Sequence, residues 1–330
     1  MRTEARFPAV KQAEGHYESF YLKASAPEGG RGVWIRHTVH KRPDQEPRAS
    51  IWFTSFDAAA PAPRAAKATF GADQLATGDG TYIRISESVL EPGRAAGSIR
   101  TDGLEASWEL TFEDRHQSLR HLPREWMYSG RLPRTKTLSP HPGAVFDGRI
   151  VLDGEEMAVE GWPGMIGHNW GTEHAERWIW IHGAGFAGRD GDEYIDVAVG
   201  RIRIGPLRTP WIANGRIVLD GEELRLGGLG HIYGTEIREQ ATRCEFVIPG
   251  KGVNVRGTVQ ASPERFVAWV YADPDGPEHN ALNCSIADLE LRVERPGKRH
   301  AHLRVDGGAT YEIGMRETDH GIPLQPFPDG

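Results

Sequence analysis

Only two cysteines, Cys244 and Cys284, occur in 330 residues. A disulfide scaffold is therefore excluded, and a reducing, cytoplasmic setting is the simpler expectation. Positive charge is also short: 39 Lys and Arg face 46 Asp and Glu, a net charge of -7. Nucleic acid, which selects a basic stripe, is not an expected partner. No apolar run approaches a membrane span, and the opening MRTEARFPAV lacks a signal-peptide core, so no integral membrane segment is expected. Peripheral contact with a membrane surface is compatible with this composition. A phosphate loop, a dinucleotide fingerprint and a serine-nucleophile elbow are all missing, which sets aside kinases, dehydrogenases and α/β-hydrolases and leaves no cofactor expected. Amphipathic helical patterns are scarce, and only Pro123 to Met127 suggests a turn or two.

What the chain does have is 10 Trp and 40 Gly, set among short runs of β-branched and aromatic residues that suit strands joined by tight turns. Period-2 alternation predicts strands at Gly32 to His40, Ser50 to Phe56, Thr81 to Val89, Ser107 to Glu113, Glu245 to Gly250, Arg265 to Ala272 and Ala287 to Arg295. The fold class is all-β, as two barrels or sandwiches. Asp57 to Ala68, rich in Pro and Ala, reads as a surface loop. From Arg316 onward the tail has no periodicity and is expected to be poorly ordered or strapped over a barrel.

GRIVLDGEE occurs twice, at Gly148 to Glu156 and at Gly215 to Glu223, each followed by Gly-His-x-aromatic-Gly: GHNWG at Gly167 to Gly171 and GHIYG at Gly230 to Gly234. Asp-Gly between alternating runs predicts a type I′ hairpin in each copy. Either two hairpins solved the same turn problem, or the second copy echoes the first, with His231 and Tyr233 related to His168 and Trp170. The domain junction is placed near residue 155, giving an N-terminal β domain over 1–155 and a C-terminal one over 156–330.

The densest chemistry lies in GWPGMIGHNWG from Gly161, WIWIHGAGF from Trp178 and DEYIDVAVG from Asp192. Trp178, Trp180, His182, Ala184 and Phe186 share one strand face by alternation. A three-residue loop of Arg189, Asp190 and Gly191 puts Tyr194, Asp196 and Ala198 on that face too, with Ala184 opposite Asp196 and His182 diagonal to it. Asp196, between Ile195 and Val197, is either solvent-facing or buried among aromatics, where desolvation raises its pKa and makes it a general acid. His168, between glycines, reads as an exposed turn residue near a ligand. His182 is a packed histidine or a catalyst. Trp170, Trp178 and Trp180 are core aromatics or a pocket wall that stabilises a cation. His168, Glu173 and His174 match no standard zinc spacing, and no metal is expected.

The order HNWG, WxW, YxD resembles the lipocalin-like family of hydroxyneurosporene synthases (carotenoid 1,2-hydratases), AttH-like proteins, tocopherol cyclases and related Diels–Alderases, specifically over Gly161 to Gly200. The resemblance implies two successive lipocalin-like (calycin) β-barrels with an apolar substrate near their junction. It implies functional roles for His168, Trp170, Tyr194 and Asp196. One departure is Gly167, where the hydratases tend to carry Asp. The expected function is an enzyme acting on a polyene, isoprenoid or polyketide-like substrate. Asp196 protonates an alkene, Trp170 and Trp180 stabilise the cation, and water or an internal nucleophile quenches it, with His168 and Tyr194 as further catalytic candidates. Trp178, His182 and Phe186 complete the binding wall. A pericyclic cyclisation in a preorganising pocket needs no acid. The alternative is a non-catalytic carrier of a small hydrophobic ligand, with Asp196 as discriminator: an acid facing the cavity favours catalysis, one facing solvent favours binding.

Overall fold

The computed structural model describes residues 3–78, 80–189, 192–204 and 206–326. The described chain forms two large antiparallel sheets, one after the other. The first begins with β1 (His16–Ser25), β2 (Arg31–Lys41), β3 (Arg48–Asp57), β4 (Arg64–Phe70), β5 (Leu75–Gly78) and β6 (Thr81–Ile85). It continues with β7 (Ser88–Glu91), β8 (Arg94–Thr101), β9 (Leu104–Glu113), β10 (Leu119–Arg120), β11 (Thr135–Leu152) and β12 (Glu155–Gly171). The second sheet starts at β13 (Arg177–Ala184) and β14 (Tyr194–Arg201). After the small hairpin β15 (Arg203–Ile204) and β16 (Leu207–Arg208) come β17 (Ile212–Leu219), β18 (Glu222–Gly227), β19 (Glu236–Glu239) and β20 (Arg243–Gly250). β21 (Val253–Gln260), β22 (Val267–Ala272), β23 (Glu278–Glu294) and β24 (Ala301–Met315) complete it. Pairing of β18 with β20 at Leu226 and Gly250 curls the second sheet on itself. The single α-helical turn among the described residues, α1, spans Trp126–Ser129.

Alternation assigns each strand face to a core. In β2, Val33, Ile35 and Val39 enter the first core, while Trp34 joins Trp52 and Phe56 of β3 in the core of the second sheet. β1 divides likewise: Phe20, Leu22 and Ala24 point inward, and Tyr21 and Lys23 point toward the other sheet. β1 is therefore buried along its whole length and β2 at all but its first residue, as suits strands covered on both faces. Polar links cross the seam: Lys23 Nζ donates to the Gly308 carbonyl (2.5 Å), Ser25 Oγ to that of Ser285 (2.9 Å), and Gly30 N to that of Gly307 (2.7 Å).

Several expectations are met and several are corrected. Both GRIVLDGEE copies form hairpins whose Asp-Gly pairs have positive φ, 51° and 88° at Asp153 and Gly154 and 53° and 74° at Asp220 and Gly221. Their sequels differ. GHNWG continues β12, whereas GHIYG lies in a surface 3-10 segment, Leu229–Gly234, with Tyr233 fully exposed. His231 and Tyr233 are thus not equivalents of His168 and Trp170. Thr81 to Val89 breaks into β6 and β7 at Ser86, where φ is 51°. The expected loop Asp57 to Ala68 contains the start of β4, an edge strand, because small Ala side chains pack under it and Ala66 is fully buried. The tail runs along β22: Ile322 is buried, Gln325 N donates to the Ala268 carbonyl (2.8 Å), and Leu324 bridges Ala268. Residue 155 falls at a hairpin inside the first sheet, and the chain passes between sheets at 172–176 instead.

Candidate functional site

Between the two sheets lies a cleft of about 380 Å³. One wall is Tyr21 of β1 with Trp34 and Arg36 of β2; facing it are Trp178 and Trp180 of β13 and Glu312 of β24. His174 and Ala175, in the connection between the sheets, also line it. Trp126, Leu132, Ile202 and Leu229 form an apolar, exposed mouth. Such a hollow, apolar with a few converging polar groups, is the usual form of a small-molecule site.

Two aromatic walls depend on glycine. Tyr21 pairs across the strands with Gly167, and its ring lies where a Cβ would stand, 2.1 Å from Cζ. Trp178 lies over Gly314 in the same way, with ring carbons also 2.1 Å from that position. This accounts for a glycine at 167: any side chain there collides with the Tyr21 ring.

Asp196 stands behind the cleft, fully buried. It accepts hydrogen bonds from Ser139 Oγ (2.5 Å) and Trp180 Nε1 (3.1 Å), and His121 Nε2 lies 3.5 Å away. His121, which lines the cleft, donates from Nδ1 to the Asn214 carbonyl (3.0 Å). The Ser139 hydrogen is committed to Asp196, so His121 Nε2 donates to Ser139 Oγ (3.1 Å). Burial pushes the Asp196 pKa up, but the charge and hydrogen bond of His121, the nearby His182 and the Ser139 hydroxyl outweigh it and hold the group below the ordinary Asp value. The expected neutral acid is thus an ionised carboxylate that fixes His121 and Trp180.

The opposite pKa shift belongs to Glu312. Burial raises its pKa above the ordinary carboxylate value, and hydrogen bonds from Trp178 Nε1 (3.0 Å) and Asn283 Nδ2 (3.1 Å) with the charge of Arg36 offset this only in part. The Trp178 ring also stacks on His174, centroids 5.4 Å apart. His174 Nδ1 donates to Asp273 Oδ1 (2.7 Å), which accepts from the His174 backbone N–H as well (2.8 Å), and Asp273 Oδ2 accepts from His279 Nε2 (3.2 Å). His174 Nε2 is buried without a hydrogen-bond partner. Desolvation lowers the His174 pKa more than Asp273 raises it, so the ring is neutral with Nε2 as a free acceptor. An oriented imidazole with a free acceptor nitrogen and a carboxyl of raised pKa on one indole is an arrangement able to move protons both ways.

The structure divides the residues singled out from sequence. Trp178 and Trp180 line the cleft. The even-numbered sets of β13 and β14 share the face toward the first sheet, but His182, not Ala184, is opposite Asp196, and Ala184 is opposite Tyr194. The strands end at Ala184 and Tyr194, so the connection is longer than three residues; of that proposed loop, Asp190 and Gly191 lie outside the described residues. His182 donates from Nε2 to the Pro142 carbonyl (2.9 Å), and burial lowers its pKa to about 4. Tyr194 is fully buried beside Ala184 and Val218, its hydroxyl accepting from Arg216 Nη1 (3.2 Å). Phe186 leaves the strand after Gly185, at φ 70°, and enters the second core.

His168 is fully buried rather than at an exposed turn. Its Nε2 hydrogen-bonds Glu18 Oε1 (2.7 Å), and its ring stacks between Phe20 (3.9 Å) and Trp170 (4.5 Å). Both residues occupy the β12 face opposite to Asn169, which lines the cleft. Glu18 also accepts from the backbone N–H of Arg6 (2.8 Å) and Phe7 (2.7 Å). Burial opposes its ionisation, but His16 and His168 hold its pKa down at about 2. This cluster ties residues 6–7 to the first barrel. Among the described residues no group of three or more His, Cys, Asp or Glu side chains is arranged to hold a metal ion, and no helix is long and apolar enough to cross a membrane.

Sequence reading missed Arg36, His121 and Glu312 and noticed His174 only as a metal candidate. A signal existed for Glu312: it sits between the core residues Tyr311 and Ile313 on a strand, the pattern that drew attention to Asp196.

No protein-family model matches the chain. Two Mycobacterium tuberculosis proteins, one from strain CDC 1551 and one from strain H37Rv, both described as uncharacterized, are each 28% identical to it over 316 residues, covering 95% of this chain and 91% of theirs. Among solved structures, a candidate AttH protein of Nitrosomonas europaea is similar with a TM-score of 0.56 at 12% identity, covering 95% of this chain and 98% of that one. Kievitone hydratase of Nectria haematococca is similar with a TM-score of 0.54 at 9% identity, covering 93% and 90%. These likenesses run through both sheets, and the fold is two successive lipocalin-like β-barrels.

Proposed function

We propose that the chain is a lyase of the hydratase kind, adding water to a carbon–carbon double bond of an apolar substrate held in the cleft between its barrels. The observation that carries this reading is Glu312, a carboxyl buried in the aromatic wall of the cleft, where desolvation raises its pKa and favours the acid form. Glu312 gives its proton to one alkene carbon, and the π faces of Trp178 and Trp180 steady the cation on the other. Water adds to the cation, and His174 Nε2 takes the proton that this water loses; return of that proton to Glu312 closes the cycle. Asp196 acts through His121 and Trp180, which it positions. The hydratase among the structural neighbours supports the reaction class.

The test is a panel of polyenes and isoprenoid alkenes incubated in water labelled with heavy oxygen and followed by mass spectrometry. Hydration adds one labelled water per turnover. In Glu312→Gln, which keeps the shape but has no transferable proton, turnover should fall by about a hundredfold or more with binding retained. A product of unchanged mass would replace this reading with a cyclase, and ligands bound without change would replace it with a carrier.

A further inference from the structure

The proton-transfer scheme leaves one charge in the cleft without a task. Arg36 is 3% exposed, in the middle of β2. Its guanidinium carbon lies 4.0 Å from the Tyr271 ring centroid, 5.3 Å from that of Trp52 and 6.0 Å from that of Trp34. These rings hold the group and supply part of what it lost on leaving water. Nη1 is nonetheless buried without a hydrogen-bond partner. No carboxylate forms an ion pair with Arg36 among the described residues. Glu312, which lines the same cleft, forms no ion pair with Arg36, and burial raises its pKa, which makes it a poor counter-ion. A desolvated cation with an empty donor is costly to fold, and a guanidinium cannot shed its proton to escape the cost.

We infer that Arg36 is the receptor for a carboxylate head on the substrate, whose apolar body runs along Trp178 and Trp180 to the mouth at Trp126, Leu132 and Leu229. This rests on the cleft being the substrate site, and it narrows the substrate from any apolar alkene to an unsaturated monocarboxylic acid. The fork of the guanidinium matches a carboxylate, and in a dry cleft such a charge-assisted pair is stronger than on the surface. The head group also serves the acid. Arg36 is one of the groups that lower the Glu312 pKa, so an anion resting on Arg36 cancels that pull and keeps the Glu312 proton in place.

The test compares cis-parinaric acid, a conjugated polyene acid that fluoresces when buried, with its methyl ester, which has the same body and no charge. The full chain should bind the acid about tenfold or more tightly than the ester. Arg36→Gln should erase that preference, bringing acid and ester to equal affinity, and Arg36→Lys should retain part of it. Thermal unfolding of each variant reports its folding, and the comparison of the two ligands on the unaltered chain needs no variant. Equal affinity for acid and ester overturns the head-group assignment while leaving the cleft as an apolar site. An acid preference that survives in a folded Arg36→Gln protein also overturns it. Failure of the unaltered chain to bind either ligand overturns both this assignment and the reading of the cleft.

Discussion

Asp196 and Glu312 are both acidic, both buried and both held by a tryptophan N–H, yet their pKa values move in opposite directions. The difference is the neighbour: Asp196 has His121 and the Ser139 hydroxyl, whereas Glu312 has neutral donors and a cation that only partly offsets its burial. Asp196→Asn should therefore destabilise the fold by roughly 3 kcal/mol, the usual cost of leaving one member of a buried ion pair alone; an unchanged urea midpoint would contradict this. Activity should have a basic limb that follows deprotonation of Glu312, because its raised pKa keeps the acid form present further up the pH scale. A pH profile without that limb would remove Glu312 as the donor. Alternation and an assumed three-residue loop put Asp196 on the face that carries Trp178, Trp180 and His182, as the register of β13 and β14 has it. Neither gave warning of His121 or Ser139, which arrive from segments distant in sequence, and the sign of the pKa shift depends on them.

At the scale of the element, local rules carried furthest. The Asp-Gly turns and most of the predicted strands are legible because turn chemistry and period-2 burial act over a few residues. What failed needed longer range: β4, whose Ala-rich sequence has low strand propensity, is fixed by pairing with β3, and GHIYG departs from GHNWG because no neighbouring strand continues its pairing. Glycines beneath rings were equally illegible, since a cross-strand partner is known only once register is known. Gly167→Ala should cost about 1 to 3 kcal/mol through collision with Tyr21 and narrow the cleft. Tyr21→Ala in the same chain should recover most of that cost, and a double-mutant cycle showing simple additivity would rule out the contact as its origin.

For the whole molecule, the expectation of two all-β units was sound because composition and alternation are distributed along the chain, while their meeting surface was not foreseeable. Burial lowers the pKa of His37 and of His182 to about 4. With folded values below the unfolded one near 6.5, their contribution to stability is complete above that pH and is lost as pH falls toward 4. The urea midpoint should fall over this window, ahead of the loss from Glu18, which lies between its unfolded value and about 2; a flat midpoint from pH 7 to 5 would contradict it. The five residues that join the barrels, 172–176, supply His174 and Ala175 to the cleft, whose other walls come from both sheets. Neither barrel owns the site, and the chain is in effect a heterodimer whose subunits share one backbone. Ligand affinity and barrel docking are then linked quantities: whatever loosens the seam weakens binding, and a saturating ligand adds its own binding free energy to the docking of the two halves.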